Sequence, residues 1–155
     1  MKNLCSEVLR ALEGKRLVTA ESLTGGGIGA VLTAVPGSST VYCGGVISYT
    51  DEVKEHILGV PGDVLAQRGA VSAPAARAMA QGVRSLLRAD VSVSVTGLAG
   101  PGGDDFGNPV GTVFIGYADD QNVFAREYHF EGNREAVRNQ TIRAAMNLVL
   151  EQNKV

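Results

Sequence analysis

The chain has no tryptophan, only two cysteines, five prolines and 5% aromatic residues among 155. The cysteines, Cys5 and Cys43, stand far apart and in no ligand spacing, which excludes a disulfide framework and a cysteine zinc site. No apolar run reaches membrane-spanning length, and Met1-Lys2-Asn3-Leu4-Cys5-Ser6-Glu7 lacks the apolar core of a secretory signal. These features predict a reduced, cytoplasmic protein with no membrane partner. An excess of one charge is also lacking: 14 basic and 16 acidic side chains are interspersed and give a net charge of −2. With no basic run and no basic aromatic stripe, nucleic acid is not an expected partner.

Glycine is what the chain has in quantity, 20 residues clustered at 25–29, 44–45 and 97–103. Such clusters between apolar segments mark tight turns or close approach of backbone to a ligand. The length predicts one domain over residues 1–155, able to bury a core without staples.

Leu4, Val8, Ala11 and Leu12 have helical spacing, and Gly14 sits where that helix should stop. Arg16 to Thr19 reads as a short buried strand, and Gly27 to Leu32 as a small-residue helix. Val41 to Tyr49 is a second strand, interrupted by Gly44-Gly45. Thr50 is placed to cap a helix through Val53, Lys54 and Ile57, with Asp51 and Glu52 in its first turn. A short helical piece covers Asp63 to Gln67. Ser72 caps a longer helix whose buried face is Ala76, Met79, Val83, Leu86 and Leu87. Val91, Val93 and Val95 alternate with Ser92 and Ser94 in a β-branched strand. Gly97 to Pro109 is a loop long enough to be functional or mobile. Gly111–Tyr117 and Val123–Phe130 form a hairpin, and Asn133 caps a last helix to about Glu151. Alternation early and a hairpin late predict an α/β fold, a three-layer α/β/α sandwich around a mixed, mostly parallel sheet.

The chemistry concentrates at Thr19-Ala20-Glu21-Ser22-Leu23-Thr24-Gly25-Gly26-Gly27, a strand-to-helix turn. Such a turn lifts a serine hydroxyl off the sheet beside the unpaired N–H groups of a helix start, which can hold a phosphate or an oxyanion. The plain alternative for Ser22 is a helix N-cap. A nucleophilic serine needs a base, and neither His56 nor His129 has a suggestive context. Lys54, with Tyr49 five residues before it, can serve if desolvation lowers its pKa. Its plain alternative is an i,i+3 pair with Asp51 on a solvated helix face. Ser38 and Ser39 could add a hydroxyl or merely make a turn. Thr96-Gly97-Leu98-Ala99-Gly100-Pro101-Gly102-Gly103 can wrap a phosphate or ribose, or simply connect elements. Arg134 and Arg138, four apart at a helix start, suit a phosphate, a neighbouring carboxylate or another subunit.

The motifs Thr19-Ala20-Glu21-Ser22-x-Thr24-Gly25-Gly26, Pro36-Gly37-Ser38-Ser39, Gly45-Val46-x-x-Tyr49-x-x-Glu52-x-Lys54, Leu58-Gly59-Val60, Gly69-Ala70-Val71-Ser72, Thr96-Gly97-x-Ala99-Gly100-Pro101-Gly102-Gly103, Pro109-Val110-Gly111-Thr112-Val113 and Gly132-x-Arg134-x-x-Val137-Arg138 occur in order. Together they closely resemble the CinA carboxy-terminal domain, the nicotinamide-nucleotide amidohydrolase family, in its stand-alone form. The resemblance implies deamidation of nicotinamide mononucleotide by a Ser/Lys mechanism without metal or cofactor. It assigns Ser22 as nucleophile, Lys54 as general base and Tyr49 as proton-transfer partner or lysine holder. Substrate contacts are expected from Glu21, Thr24, Gly25, Gly26, Ser39, Thr96, Gly97, Gly100, Arg134 and Arg138. The family resemblance also implies a homodimer. Three departures stand out: Leu23 for a frequent cysteine, Asn108 for a lysine, and Asn133 for an aspartate. None touches Ser22, Tyr49 or Lys54.

Two other functions compete. Gly25-Gly26-Gly27-Ile28-Gly29-Ala30 fits the G-x-G-x-x-A dinucleotide fingerprint of an oxidoreductase, with Asp51 and Glu52 about twenty residues on. Those acids, however, fall in a helix start, and Tyr49 and Lys54 are not spaced as a Tyr-x-x-x-Lys pair. A non-catalytic mononucleotide-binding module on the same fold would bind without releasing ammonia.

Overall fold

A computed structural model describes residues 1–154. The elements follow the expected order: α1 (Lys2–Ala11), β1 (Leu17–Glu21), α2 (Gly27–Thr33), a 3-10 turn at Ser38–Thr40, β2 (Tyr42–Ile47), α3 (Asp51–His56), α4 (Gly62–Gln67), α5 (Ala73–Leu86), β3 (Val91–Gly97), β4 (Thr112–Ala118), β5 (Val123–His129) and α6 (Arg134–Asn153). All three foreseen N-caps form. Thr50 accepts from Val53 N, Ser72 from Ala75 N at 3.3 Å, and Asn133 from Ala136 N at 2.9 Å.

The strands make one mixed sheet in the order β2-β1-β3-β4-β5. β1 pairs in parallel with β2 and β3, while β4 is antiparallel to both β3 and β5. Four strands therefore run one way and only β4 is reversed. Because β1 has parallel neighbours on both sides, Ser22, Ser48 and Leu98, which follow β1, β2 and β3, emerge along one edge of the sheet. In open α/β sheets this carboxyl edge is where ligands bind.

Side chains of β1 alternate between two cores. Leu17 joins the cluster under α1, α2 and α6, with Val8, Leu12, Ile28, Leu32, Val137 and Met146. Val18 and Ala20 face the other way, onto Leu58, Val60, Leu65, Met79 and Val83 of the α3–α5 layer. β3 does the same with polar residues. Its valines enter the first core, and Ser92 and Ser94 are fully buried under α5. A strand with this alternation usually has one wet face. Here the two hydroxyls donate to the carbonyls of Ala80 (2.6 Å) and Ala76 (2.7 Å), so α5 settles on them without leaving a buried polar group unpaired.

The close seating of α5 also needs two glycines. A Cβ on Gly116 of β4 would collide with the Ala76 carbonyl, and one on Gly82 with the Leu58 carbonyl. The valine and serine pattern of β3 and the alanines of α5 thus belong to one interface, and that interface sets the position of the loop after β3.

Candidate functional site

Glu21 ends β1 and Ser22 begins the turn. The Ser22 N–H donates to the Val95 carbonyl (3.1 Å), and its carbonyl accepts from Gly25 N (3.1 Å). Gly25 and Gly26 take positive φ values of 58° and 103°, which lets the chain reverse into α2 within four residues. Ser22 does not cap this helix. Glu21 fills that role instead: its buried carboxylate accepts from Thr24 Oγ1 (2.5 Å), Ile28 N (2.8 Å) and Gly29 N (3.1 Å). An internal carboxylate thus occupies the helix end where an external anion was expected.

Across the sheet edge, Ser48 and Tyr49 follow β2, and α3 brings Lys54 back over the edge. Lys54 is only 2% exposed. Its Nζ lies 3.0 Å from Ser22 Oγ and 2.6 Å from the Ser48 carbonyl. Burial pulls its pKa down to about 8, and the Asp51 carboxylate opposes that shift. Asp51 stays exposed and forms no ion pair with Lys54. The solvated i,i+3 pair is therefore not what the chain makes. Ser48 is itself fixed, its N–H donating to the Glu21 carbonyl at 2.7 Å. A carbonyl that accepts one amine hydrogen turns the lone pair of a neutral lysine toward the serine.

The cleft over this pair has a volume of about 490 Å³. Of the residues foreseen from sequence, it gathers Ser22, Lys54, Tyr49, Thr96, Gly97, Gly100 and Arg134. Tyr49 is 59% exposed, and its hydroxyl accepts from Arg134 (3.1 Å), which also donates to the Gly100 carbonyl (2.7 Å). One guanidinium from α6 thus joins two walls. Thr96 donates from Oγ1 to the Ala70 carbonyl (2.9 Å) and holds the floor. Among the described residues, the N–H groups of Ala99, Gly100, Gly102 and Gly103 have no acceptor, although all four residues line the cleft.

Other foreseen residues lie elsewhere. Glu21, Thr24, Gly25, Gly26 and Arg138 are outside the cleft lining. Arg138 donates to the carbonyls of Leu23 (3.0 Å) and Thr24 (3.1 Å), so its guanidinium holds backbone. Ser39 is exposed in the 3-10 turn ahead of β2. Because β2 runs parallel to β1, that turn lies at the opposite end of the sheet from Ser22, a strand length or roughly 17 Å away.

Sequence inspection missed Ser48, whose backbone carbonyl is its contribution and leaves no side-chain signature. It also missed Asp104, Asp105 and Phe106 on the cleft wall. Asp104 accepts from Phe106 N, Asn108 N and Asn108 Nδ2, and these bonds hold its pKa below the ordinary carboxylate value against the opposing effect of burial. Asn108 also donates to the Val71 carbonyl (3.2 Å). The family departure at Asn108 thus serves as a loop tie. An Asp-x-x-x-Asn spacing in a long loop was the available signal.

No helix among the described residues is long and apolar enough to cross a membrane, and no group of potential metal ligands occurs among them. Residues 1–153 match the CinA C-terminal domain. A CinA-like protein of Synechococcus is 56% identical over 115 residues, covering 73% of this chain and 27% of the relative. One from Geobacter metallireducens is 46% identical over 134 residues, 86% of this chain and 32% of the relative. The chain thus spans about a third or less of the length of these curated relatives. A crystal structure of a competence-damaged protein (CinA) superfamily protein from Klebsiella pneumoniae superposes with a TM-score of 0.94 at 37% identity, covering 97% of this chain and 96% of that one. With the fold, the ordered motifs and these matches in agreement, the chain belongs to the CinA C-terminal domain family.

Proposed function

We propose that this chain hydrolyses the carboxamide of nicotinamide mononucleotide to nicotinate mononucleotide and ammonia, with Ser22 as nucleophile and Lys54 as general base. The observation that carries this is the buried Lys54 Nζ at 3.0 Å from Ser22 Oγ, with its pKa drawn down to about 8. A lysine in that state is a competent base near neutral pH, and a serine on a tight turn is a competent nucleophile.

Ser22 Oγ attacks the carboxamide carbon and its proton passes to Lys54 Nζ. The tetrahedral intermediate collapses, and ammonia leaves with the proton returned from Lys54. Water then adds to the acyl-serine ester, Lys54 takes its proton, and the carboxylate product departs as Ser22 recovers its hydrogen. Tyr49, exposed on the wall of the same cleft, passes protons to solvent.

The walls suit the substrate. Phe106 and Tyr49 offer exposed aromatic faces to a flat ring. Asp51, Asp104 and Asp105 face the cleft and complement the positive charge of an N-ribosylated pyridinium. The unpartnered amides of Ala99, Gly100, Gly102 and Gly103 and the cation of Arg134 suit its phosphate. A dinucleotide oxidoreductase is disfavoured because Glu21 already occupies the helix start its pyrophosphate would need. A homodimer in the cytoplasm is the accompanying proposal.

The test is ammonia release from nicotinamide mononucleotide by the full chain, with Ser22→Ala and Lys54→Ala alongside. Both variants should lose at least about a thousandfold in turnover while unfolding at temperatures close to the parent's. Binding without ammonia release by the parent would make it a mononucleotide-binding module. Near-normal turnover by Lys54→Ala would overturn the base assignment.

A further inference from the structure

Phe106 is the aromatic residue of the long loop between β3 and β4, and it stands 48% exposed. A place to bury it lies close by. A second cavity of about 410 Å³ has Val71 and Phe106 in common with the cleft, and the buried Phe114 lines it. Turning into that cavity would take apolar surface out of water. The loop holds the ring at the boundary instead.

The hold is built from backbone. Asp104 Oδ1 accepts from Phe106 N (3.1 Å) and Asn108 N (3.0 Å), and Oδ2 accepts from Asn108 Nδ2 (2.8 Å). The same Asn108 amide donates to the Val71 carbonyl (3.2 Å), which ties the loop to the chain ahead of α5. The ring rests on Gly69, where a Cβ would come within 2.6 Å of the ring carbon Cδ2. A clasp and a glycine seat thus fix an aromatic ring on the cleft wall. Such a ring attracts a cation through its quadrupole, which an alkyl side chain of similar size does not. Tyr49, the other aromatic of the cleft, is less suited to a second cation, because the Arg134 guanidinium is already bonded to its hydroxyl.

We propose that Phe106 is a specificity-determining residue, a platform that selects the charged pyridinium ring over its neutral dihydropyridine form, and that Asn108 is the positioning residue that holds it there. This rests on the pyridine-nucleotide reading above and concerns binding, not the chemistry at Ser22.

The experiment measures binding in the full chain carrying Ser22→Ala, which stops turnover and leaves the cleft walls intact. Nicotinamide mononucleotide and its reduced form are compared by equilibrium dialysis. The reduced form keeps the ribose, phosphate and carboxamide and lacks the charge of the ring. Ser22→Ala should bind the oxidised form more tightly by at least about tenfold. Adding Phe106→Leu should cut that preference by about three- to thirtyfold, chiefly through weaker binding of the oxidised form. Phe106→Tyr should keep the preference, and Asn108→Ala should fall between. A preference undiminished in Phe106→Leu would overturn the assignment and pass charge recognition to the carboxylates of Asp51 and Asp105. Its loss in Phe106→Tyr, or equal binding of the two forms by Ser22→Ala alone, would also overturn it. A preference unchanged by Asn108→Ala would remove the positioning role, and if Phe106→Leu does not fold, that same result decides against the platform. Binding of neither form would instead remove the pyridine-nucleotide reading on which this proposal stands.

Discussion

Replacing Lys54 by methionine tests the physical premise of the site without any substrate. Burial holds the Lys54 pKa at about 8, against roughly 10.4 for a free lysine. At 1.36 kcal/mol per unit that difference is about 3 kcal/mol. Below pH 8 the folded and unfolded chains both carry the proton, and the folded state bears the whole penalty. Between about pH 8 and 10.4 the unfolded chain still binds the proton that the folded chain has released. Stability therefore rises with pH through this window, and above it the penalty is gone. Methionine keeps most of the length and removes the charge. It also takes a donor from the Ser48 carbonyl, which costs about 1 kcal/mol. Lys54→Met is thus expected to be about 2 kcal/mol more stable than the parent at neutral pH, or roughly 4–8 °C in melting temperature for a chain of this length. The advantage should shrink above about pH 8 and vanish near pH 10. Urea unfolding followed by circular dichroism across that range measures both chains. A methionine variant less stable than the parent at neutral pH, or a difference that does not change with pH, would refute the claim that Lys54 is strained by desolvation.

Parental hydrolysis of nicotinamide mononucleotide should rise about tenfold per pH unit below pH 8 and level off above it, as the neutral fraction of Lys54 saturates; a pH–rate profile flat from about 6 to 9 would contradict this. Glu21→Ala strips partners from two backbone amides and a hydroxyl in a buried place, so it should lower stability by about 3 kcal/mol or more in chemical denaturation. A neutral result there would mean that α2 does not depend on its internal carboxylate. Gly116→Ala drives a methyl into the Ala76 carbonyl and should cost about 1–3 kcal/mol, measured by thermal melting. Unchanged melting would show that α5 is less tightly seated than its serine contacts imply.

Short-range features of this protein are legible in the chain itself. Periodicity, glycine breaks and the caps Thr50, Ser72 and Asn133 locate the elements to within a few residues, because each depends on neighbours a turn or two away. The order of those elements yields the α/β class, since alternation leaves few ways to cover both faces of a sheet. The Ser22 turn is equally visible, as a serine between a buried strand and a run of glycines. What the tertiary structure decided is which polar groups meet. Ser22 and Lys54 are 32 residues apart, and they touch only because β1 and β2 run parallel and α3 folds back over their common edge. That same pairing leaves Ser39 at the far end of the sheet. Glu21 and Arg138 looked like ligand contacts because carboxylates and guanidiniums are usually solvated. Here Glu21 is buried and Arg138 partly so, and their partners are chiefly backbone amides and carbonyls. No local pattern encodes that choice, because the energy of a charged side chain is set by whatever the fold packs against it.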